Sequence, residues 1–404
     1  MFHTIVVGGG VAGLHVGIEI AKRGQSCCII DEYHCGGRVQ TYHLPDTKLH
    51  WENGAGRIHS SHYRTLRYLK RYKCTMIPLS TDIQYLSPSS IMSPSSTISE
   101  PNLFFDTQRS FLQPLYSLPP HLLATHTLGE LIPRILPHSR EFIQAFPYYA
   151  ELHTLRADIA LESFTMAIGG HDHFSICKEG LSTMIDKMKE EFLSHSGTII
   201  ENMRITEVIQ MGTHTVLRAT HRTEHTMHAF DTTICVLAVP KNAVEALLPS
   251  VRPITRHLAS VPLLRIYAVF PVPWFDQPST VVDSPIRYII PISSTAMMIS
   301  YTEGPYASHW MKMKPNQARR AVMKEIRRLF PDRTIPTPTT FTMHPWREGC
   351  TYWLPGNYDV DVMSQKIMNP AKGIFVCGES YARHQCWIES ALEHADAMLK
   401  RMIA

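Results

Sequence analysis

The residues best placed to do chemistry come first in the chain. Gly8, Gly10 and Gly13 form a G-x-G-x-x-G run, with a further glycine at position 9. In such a run the first glycine makes a tight turn and the second lets a pyrophosphate approach the backbone. The third lets a helix pack closely on a strand, and the helix amides, here from Val11 and Ala12 onward, face the phosphates. Asp31, with Glu32 beside it, stands 23 residues beyond Gly8. That is close to the spacing of about 20 residues at which a carboxylate grips a ribose hydroxyl. Glycines and acid together point to an adenine dinucleotide rather than to a glycine turn without a ligand.

Other reactive groupings are weaker. His171-Asp172-His173 and the set His221, His225 and His228 lack a matched set of ligands in metal-binding spacing, so no metal is expected. No G-x-S-x-G or H-E-x-x-H occurs, and no His/Cys pairing marks a nucleophile.

The dinucleotide site needs a strand, a helix and a second strand, and the period of the chain supplies them. Thr4-Ile5-Val6-Val7 is a short apolar run. Val11, Leu14, Ile18 and Ala21 share one helical face, Gly24 stops the helix, and Cys27 to Ile30 is a second buried strand. This βαβ opening predicts a parallel sheet covered on both faces. From about Ile83 to Pro120 the texture changes: Ser87-Pro88-Ser89-Ser90 recurs as Ser93-Pro94-Ser95-Ser96, and four more prolines follow. That stretch reads as a surface excursion. Leu128 to Ser194 has a helical pattern, and Thr198 to Val239 and Pro253 to Tyr301 read as strands. Ala318 to Phe330 is a basic amphipathic helix whose charges read as a solvated face rather than a binding element, and the block from Gly373 is a strand, a turn and a long helix.

Composition sets limits on the rest. The 404 residues are 44% hydrophobic and 18% charged, which suits a globular protein with a sizeable core. The longest apolar runs, such as Ile234 to Val239, are strand-sized, so no membrane-spanning helix is expected. A net charge of +4 without a dense basic run argues against a nucleic-acid partner. The apolar start lacks the positive flank of a signal peptide, and nine scattered cysteines fit a reducing, cytoplasmic setting.

Beyond the first motif, Gly36-Gly37-Arg38-Val39 follows the acidic strand end, and Gly378-Glu379 follows Ile374-Phe375-Val376-Cys377. Trp387-Ile388-Glu389-Ser390-Ala391 then opens the last helix. These segments resemble the FAD-dependent amine oxidases, and Leu155-Arg156-Ala157, Lys178-Glu179-Gly180-Leu181 and Asn202-Met203-Arg204-Ile205 are similar to landmarks of the same family. The resemblance implies FAD held by the first glycine turn, Asp31, Gly37, Arg38, Gly56, Arg57 and Glu379. The backbone at Ile205 would meet the adenine, and the amides near Ile388 the flavin. Asn357 stands where covalent members keep a cysteine, which implies non-covalent FAD.

In motif detail the resemblance is nearest to L-amino-acid oxidases. Gly54-Ala55-Gly56-Arg57-Ile58 looks like the segment whose arginine pairs with the substrate carboxylate, and a guanidinium suits that through two parallel hydrogen bonds. Arg57 on the cofactor phosphates or in a structural ion pair is the competing reading. Trp387 occupies the place of an aromatic wall, and Tyr352 or Trp353 would supply a second. Tyr288 and Tyr301 are candidates for assisting the carboxylate. Arg265, in Leu264-Arg265-Ile266-Tyr267, stands where the family has a lysine that assists reaction with oxygen. The replacement keeps the charge but cannot readily release a proton.

The resemblance therefore implies an α/β fold, with a Rossmann-like FAD-binding domain and a discontinuous substrate domain of mixed sheet plus helices. Residues 1–75, 198–250 and 345–404 are expected in the first domain, and residues 76–197 and 251–344 in the second. The implied reaction oxidises an amine, foremost an L-amino acid, to the imine and then to 2-oxo acid and ammonia. Oxygen, giving hydrogen peroxide, or another acceptor would take the electrons. The alternatives are a monoamine or polyamine oxidase, and a protein that keeps the fold for structure or assembly with little turnover. A homodimer is compatible with either.

Overall fold

A computed structural model of the chain describes residues 1–80, 83–86, 111–136, 139, 143–144, 146, 148–164 and 174–403. It divides into two compact units. The first comprises Met1–Pro78, Phe174–Ala259 and Tyr358–Ala404, the second Leu79–His173 and Ser260–Asn357.

In the first unit a sheet runs in the order Met203–Met211, His214–His221, Met227–Leu237, Phe2–Val7, Cys27–Ile30, Thr198–Ile200. The first half of Met227–Leu237 pairs antiparallel with His214–His221. Its second half pairs parallel with Phe2–Val7 and Ile374–Val376. The switch follows from the surroundings. Ile5, Val6, Cys235, Val236 and Leu237 are buried on both faces, as parallel strands between helices must be, whereas Met227, His228 and Ala229 face solvent in a hairpin. Helices Val11–Ala21, Ser182–Ser194 and Ile388–Ile403 contribute Leu14, Ile18, Met184, Ile185, Leu392 and Met398 to the same core.

The compact units depart furthest from the expected domain boundaries at two places, beside smaller shifts at residues 76–78 and 251–259. Residues 174–197 belong with the first unit because Phe174–Cys177 pairs with Ile58–His59 and Met76–Pro78, and Ser182–Ser194 packs on the first helix. Residues 345–357 belong with the second, because they continue the fourteen-residue strand Thr340–Trp353.

The second unit has a six-stranded sheet in the order Thr340–Trp353, Leu258–Val269, Ala296–Glu303, Tyr288–Pro291, Ser279–Val282, Ile83–Leu86. The last strand runs parallel to its neighbour, while Leu258–Val269 through Ser279–Val282 pair antiparallel, so the sheet is mixed. Ile83–Leu86 is thus an edge strand at the start of the Ser/Pro-rich stretch. The Ser-Pro-Ser-Ser repeats that follow it lie outside the described residues. Helix Pro315–Leu329 buries Val322, Met323, Ile326 and Leu329 against a core that includes Trp310 and Phe330. Arg287 ties irregular chain to this sheet: buried and with φ of 63°, it donates to the carbonyls of Gln144 and Phe146. All nine cysteines are free thiols, and no helix of the described residues is long and apolar enough to cross a membrane.

Buried histidines such as His394 make the first unit sensitive to acid. His394, on the last helix, is 2% exposed, with Nε2 3.4 Å from the Ser364 carbonyl and Nδ1 without a partner among the described residues. Burial lowers its pKa from 6.5 to about 4, against the weaker pull of that carbonyl. The unfolded chain therefore binds the extra proton, so the contribution is complete above 6.5 and is lost as the pH falls towards 4. The loss over that interval is on the order of 3 kcal/mol. Urea unfolding at neutral and acid pH should show this slope in the wild type. A His394→Gln variant should make it less steep by the share of one histidine, since other buried histidines keep theirs.

Candidate active site

The glycine turn between strand Phe2–Val7 and helix Val11–Ala21 has the geometry of a phosphate cradle. Gly8 has φ of +99°, which a side chain rarely adopts. A Cβ on Gly13 would lie 1.9 Å from the Gly8 carbonyl oxygen, so helix and turn touch as the third glycine requires. Gly10 differs: a Cβ there would meet nothing within 4 Å. Gly10 also caps the helix without any side-chain hydrogen bond, and the first turn carries no acid. The amides of Val11, Ala12 and Gly13 therefore have neither a helical nor a side-chain acceptor, and they face space at the positive end of the helix. This is the observation that fits a dinucleotide pyrophosphate to these residues.

The neighbouring turn completes the cradle. Gly36 donates to the Gly9 carbonyl at 2.9 Å, and Gly37 sits against the Gly10 Cα. Asp31 Oδ2 accepts the Gly9 amide at 2.6 Å and Oδ1 the Tyr33 amide at 2.8 Å. Each oxygen keeps a lone pair that a ribose hydroxyl could use. Glu32 is more exposed and lies 4.0 Å from Arg204. Ile205 is buried where its strand has an irregular register. Arg38 donates to Glu379 Oε1 at 2.5 Å, and Glu379 Oε2 accepts the Cys386 amide at 3.0 Å. Gly37, Arg38, Gly378 and Glu379, widely separated in sequence, are thereby brought together. A Cβ on Gly378 would also meet nothing within 4 Å, so backbone faces open space there too.

A second grouping joins two more of the singled-out residues through one that the motifs did not reveal. The Arg57 guanidinium lies over the Phe174 ring, 5.0 Å from its centroid. Phe174 in turn stacks on Trp387 at 5.8 Å and 22°. His62 packs on the other ring neighbour, 4.9 Å from Trp387. Burial, helped by nearby His59 and Arg57 and opposed by Glu389, takes His62 down to about 4, so it is neutral at physiological pH. Phe174 is more than a hundred residues from both partners, and no local spacing announces it.

A buried polar network holds this region. Glu389 Oε2 accepts the amide and hydroxyl of Thr65, each at 2.9 Å, and Oε1 accepts the amide and guanidinium of Arg64 at 3.1 and 3.2 Å. Its carboxylate thus caps helix Tyr63–Arg71, which has no side-chain cap of its own. Arg64 also donates to Asp396 at 2.8 Å, whose other oxygen meets His15 Nε2 at 2.7 Å. His15 Nδ1 shares a hydrogen bond with the Tyr68 hydroxyl at 2.7 Å. Burial opposes the charge of Asp396, but the bonds from His15 and Arg64 outweigh it and bring the carboxyl down to about 2.

In the second unit Arg265 faces Tyr301 across paired strands, its guanidinium 5.2 Å from the ring centroid. Tyr301 also packs against the small cluster of Ile83, Val281 and Tyr288, so these three site candidates share one neighbourhood. Burial and the charge of Arg265 lower His344 to about 4. The Tyr352 hydroxyl donates towards Glu151 and Glu303, 3.4 Å from each. Glu303 is buried and Glu151 has one oxygen enclosed; burial raises both carboxyls above their usual range, and the charge of Glu303 adds to the shift of Glu151. Trp353 is wholly buried, its carbonyl accepting the Arg156 amide at 3.0 Å. Of the histidines weighed as metal ligands, His221 and His228 bond to Thr223 and Thr226, and His171 to His173 lie outside the described residues.

The cradle makes a sharp prediction. At φ of −71° and with open space before it, Gly10→Ala should fold with an unchanged melting temperature. Its methyl group would occupy the approach to the helix amides, so FAD affinity should fall roughly tenfold or more, about 1.4 kcal/mol at least. Fluorescence titration of the apoprotein with FAD reads the affinity, and calorimetry reads the melting.

Comparison with known proteins accords with this geometry. A model of the flavin containing amine oxidoreductases matches residues 102–398, and one of NAD(P)-binding Rossmann-like domains matches residues 6–72. No curated protein matches the chain. Among solved structures, a single-substitution variant of putrescine oxidase with redesigned cofactor binding is similar at a TM-score of 0.79 and 13% identity, covering 100% of this chain and 98% of its own. A double variant of the same enzyme is similar at 0.78 and 13%, covering 100% and 99%. At that identity the likeness is one of fold. The family model spans most of the chain, and the chain belongs to the flavin-containing amine oxidoreductases.

Proposed function

We propose that the chain oxidises the α-amine of an L-amino acid, with Arg57 taking the substrate carboxylate. One observation supports this most: the Arg57 guanidinium lies on Phe174, and Phe174 stacks on Trp387, the aromatic wall. A guanidinium lying on a ring directs its N–H groups along its own plane, the geometry that meets a carboxylate through two parallel bonds. FAD, bound non-covalently by the glycine cradle, Asp31, Arg38 and Glu379, supplies the two-electron acceptor for the hydride from the α-carbon.

The protein's own residues bind, orient and exclude water. Trp387, with Phe174 and neutral His62 packed against it, offers an apolar wall that favours an uncharged amine. An amine that binds neutral needs no side-chain base at the α-carbon. Loss of hydride and of a proton from nitrogen leaves an imine, and water converts this to 2-oxo acid and ammonia. Oxygen is the proposed final acceptor, reduced to hydrogen peroxide. Arg265 carries a fixed positive charge in place of the family's lysine, and its inability to release a proton slows that last step.

Putrescine oxidase, the structural relative, is named for a diamine, and the competing reading is an amine substrate without a carboxylate. Peroxide release across L-amino acids and their decarboxylated counterparts distinguishes the two. Arg57→Ala should raise KM for the amino acid by roughly a hundredfold, about 3 kcal/mol for a charge-assisted pair, with flavin content unchanged. Flavin loss with unaltered selectivity would instead assign Arg57 to the cofactor. Absence of flavin bleaching with any amine under anaerobic conditions would leave the fold in a structural role. Arg265→Lys should speed reoxidation by oxygen in stopped flow while the reductive half-reaction keeps its rate.

A further inference from the structure

Contrary to the expectation of no dense basic run, the chain's positive charge is not spread evenly over it. Residues 312–328 hold seven Lys or Arg against one Glu, a net +6, while the whole chain is +4. The other residues together are therefore at −2. The lone acid is already used, since Glu325 pairs with Arg328 at 2.6 Å. Lys312, Arg319, Arg320, Lys324 and Arg327 have no carboxylate partner among the described residues and lie exposed.

Helix Pro315–Leu329 and the turn before it shape part of this charge into a surface groove of about 470 Å³. Lys312, Gln317, Arg320 and Lys324 line it, with Met313 and Ala321. Arg320 and Lys324 are one helical turn apart on the same face, about 6 Å along the axis. The first turn of the helix carries no acid, so its own dipole adds to the field.

We propose that this groove binds a small ligand carrying two or more phosphate groups, such as a pyrophosphate or triphosphate moiety. Three cations along one open groove match several negative charges rather than one. A lipid surface fits less well. It is flat, and the helix has its apolar face committed to the core through Val322, Met323, Ile326 and Leu329, leaving none to enter a bilayer. A single-stranded nucleic acid fits less well too, because no aromatic ring lines the groove for a base to stack on. The site is separate from the glycine cradle and belongs to the second unit alone.

The test uses the flavin-loaded protein, so that the cradle is filled, and inorganic triphosphate as the probe. Titration calorimetry at low salt should show saturable binding that weakens at physiological salt, with orthophosphate at least tenfold weaker. Lys312→Ala/Arg320→Ala/Lys324→Ala should lose at least tenfold in triphosphate affinity with flavin content and melting temperature unchanged. Arg320→Gln alone, a milder change, should lose part of it. Equal binding by wild type and the triple variant would overturn the proposal, as would no binding at low salt. Binding of anionic phospholipid vesicles or duplex DNA that depends on these three side chains, without triphosphate binding, would overturn it as well, in favour of a macromolecular partner.

Discussion

The first unit's candidate site depends on how one buried carboxylate is shared. Glu389 lies two residues beyond Trp387, and it receives four hydrogen bonds from the opening turn of helix Tyr63–Arg71. A helix that begins without a side-chain cap leaves amides that must find an acceptor elsewhere. Here the acceptor comes from another helix, so the start of the last helix and the start of the Tyr63 helix are fixed to each other. Everything between Arg57 and His62 enters that second helix, and Trp387 and Ile388 enter the first. The stacking of Arg57, Phe174 and Trp387 is thus held from both ends. Arg64 carries the constraint further, through Asp396 to His15 on the helix that follows the glycine turn. Removing one member of such a set would leave a buried charge unpaired, which costs more than the pair itself contributes.

How far this was legible in sequence depended on how local the determinant is. The glycine turn, Asp31 and the first helix lie within about thirty residues, and their roles follow from backbone geometry that the residue types alone dictate. The long helices at Pro315–Leu329 and Ile388–Ile403 were equally open, because their apolar faces repeat at helical spacing. The boundary near residue 174 was not. Phe174–Cys177 is four residues long, and only its pairing with Ile58–His59 and Met76–Pro78 assigns it to the first unit. Such pairing has no local signature. For the same reason Phe174 stayed hidden as the ring between Arg57 and Trp387, although both of these stood out by motif.

The second unit shows the complementary limit. Tyr352 and Trp353 stand out as aromatics near a family landmark, yet their surroundings could not be read from their own neighbours in sequence. Tyr352 directs its hydroxyl to Glu151 and Glu303, from a short helix and a strand end far apart in the chain. Burial raises both carboxyls, and one of the Glu151 oxygens is enclosed with no hydrogen-bond partner among the described residues. Trp353 is wholly enclosed, so its ring contributes packing whatever else it does. A sequence shows two glutamates 152 residues apart as ordinary surface charges. Only the fold brings both to the Tyr352 hydroxyl.

The same contrast explains where positive charge matters in this protein. Arg57, Arg64 and Arg265 each sit against a ring or a carboxylate in partly buried surroundings, where a guanidinium's planar, weakly hydrated face suits stacking and paired hydrogen bonds. The cations of residues 312–328 are exposed and repel one another, and water screens them. A fold gains nothing in stability from that crowding, since the lone glutamate there pairs with a single arginine and exposed pairs contribute at most about 1 kcal/mol. Charge that neither packs nor pairs within the molecule, while the rest of the chain is slightly acidic, has its physical counterpart outside it. Arg57, Arg64 and Arg265 are therefore explained by the fold, whereas the unpaired cations of the Pro315 helix are left to solvent or to the anion proposed for them.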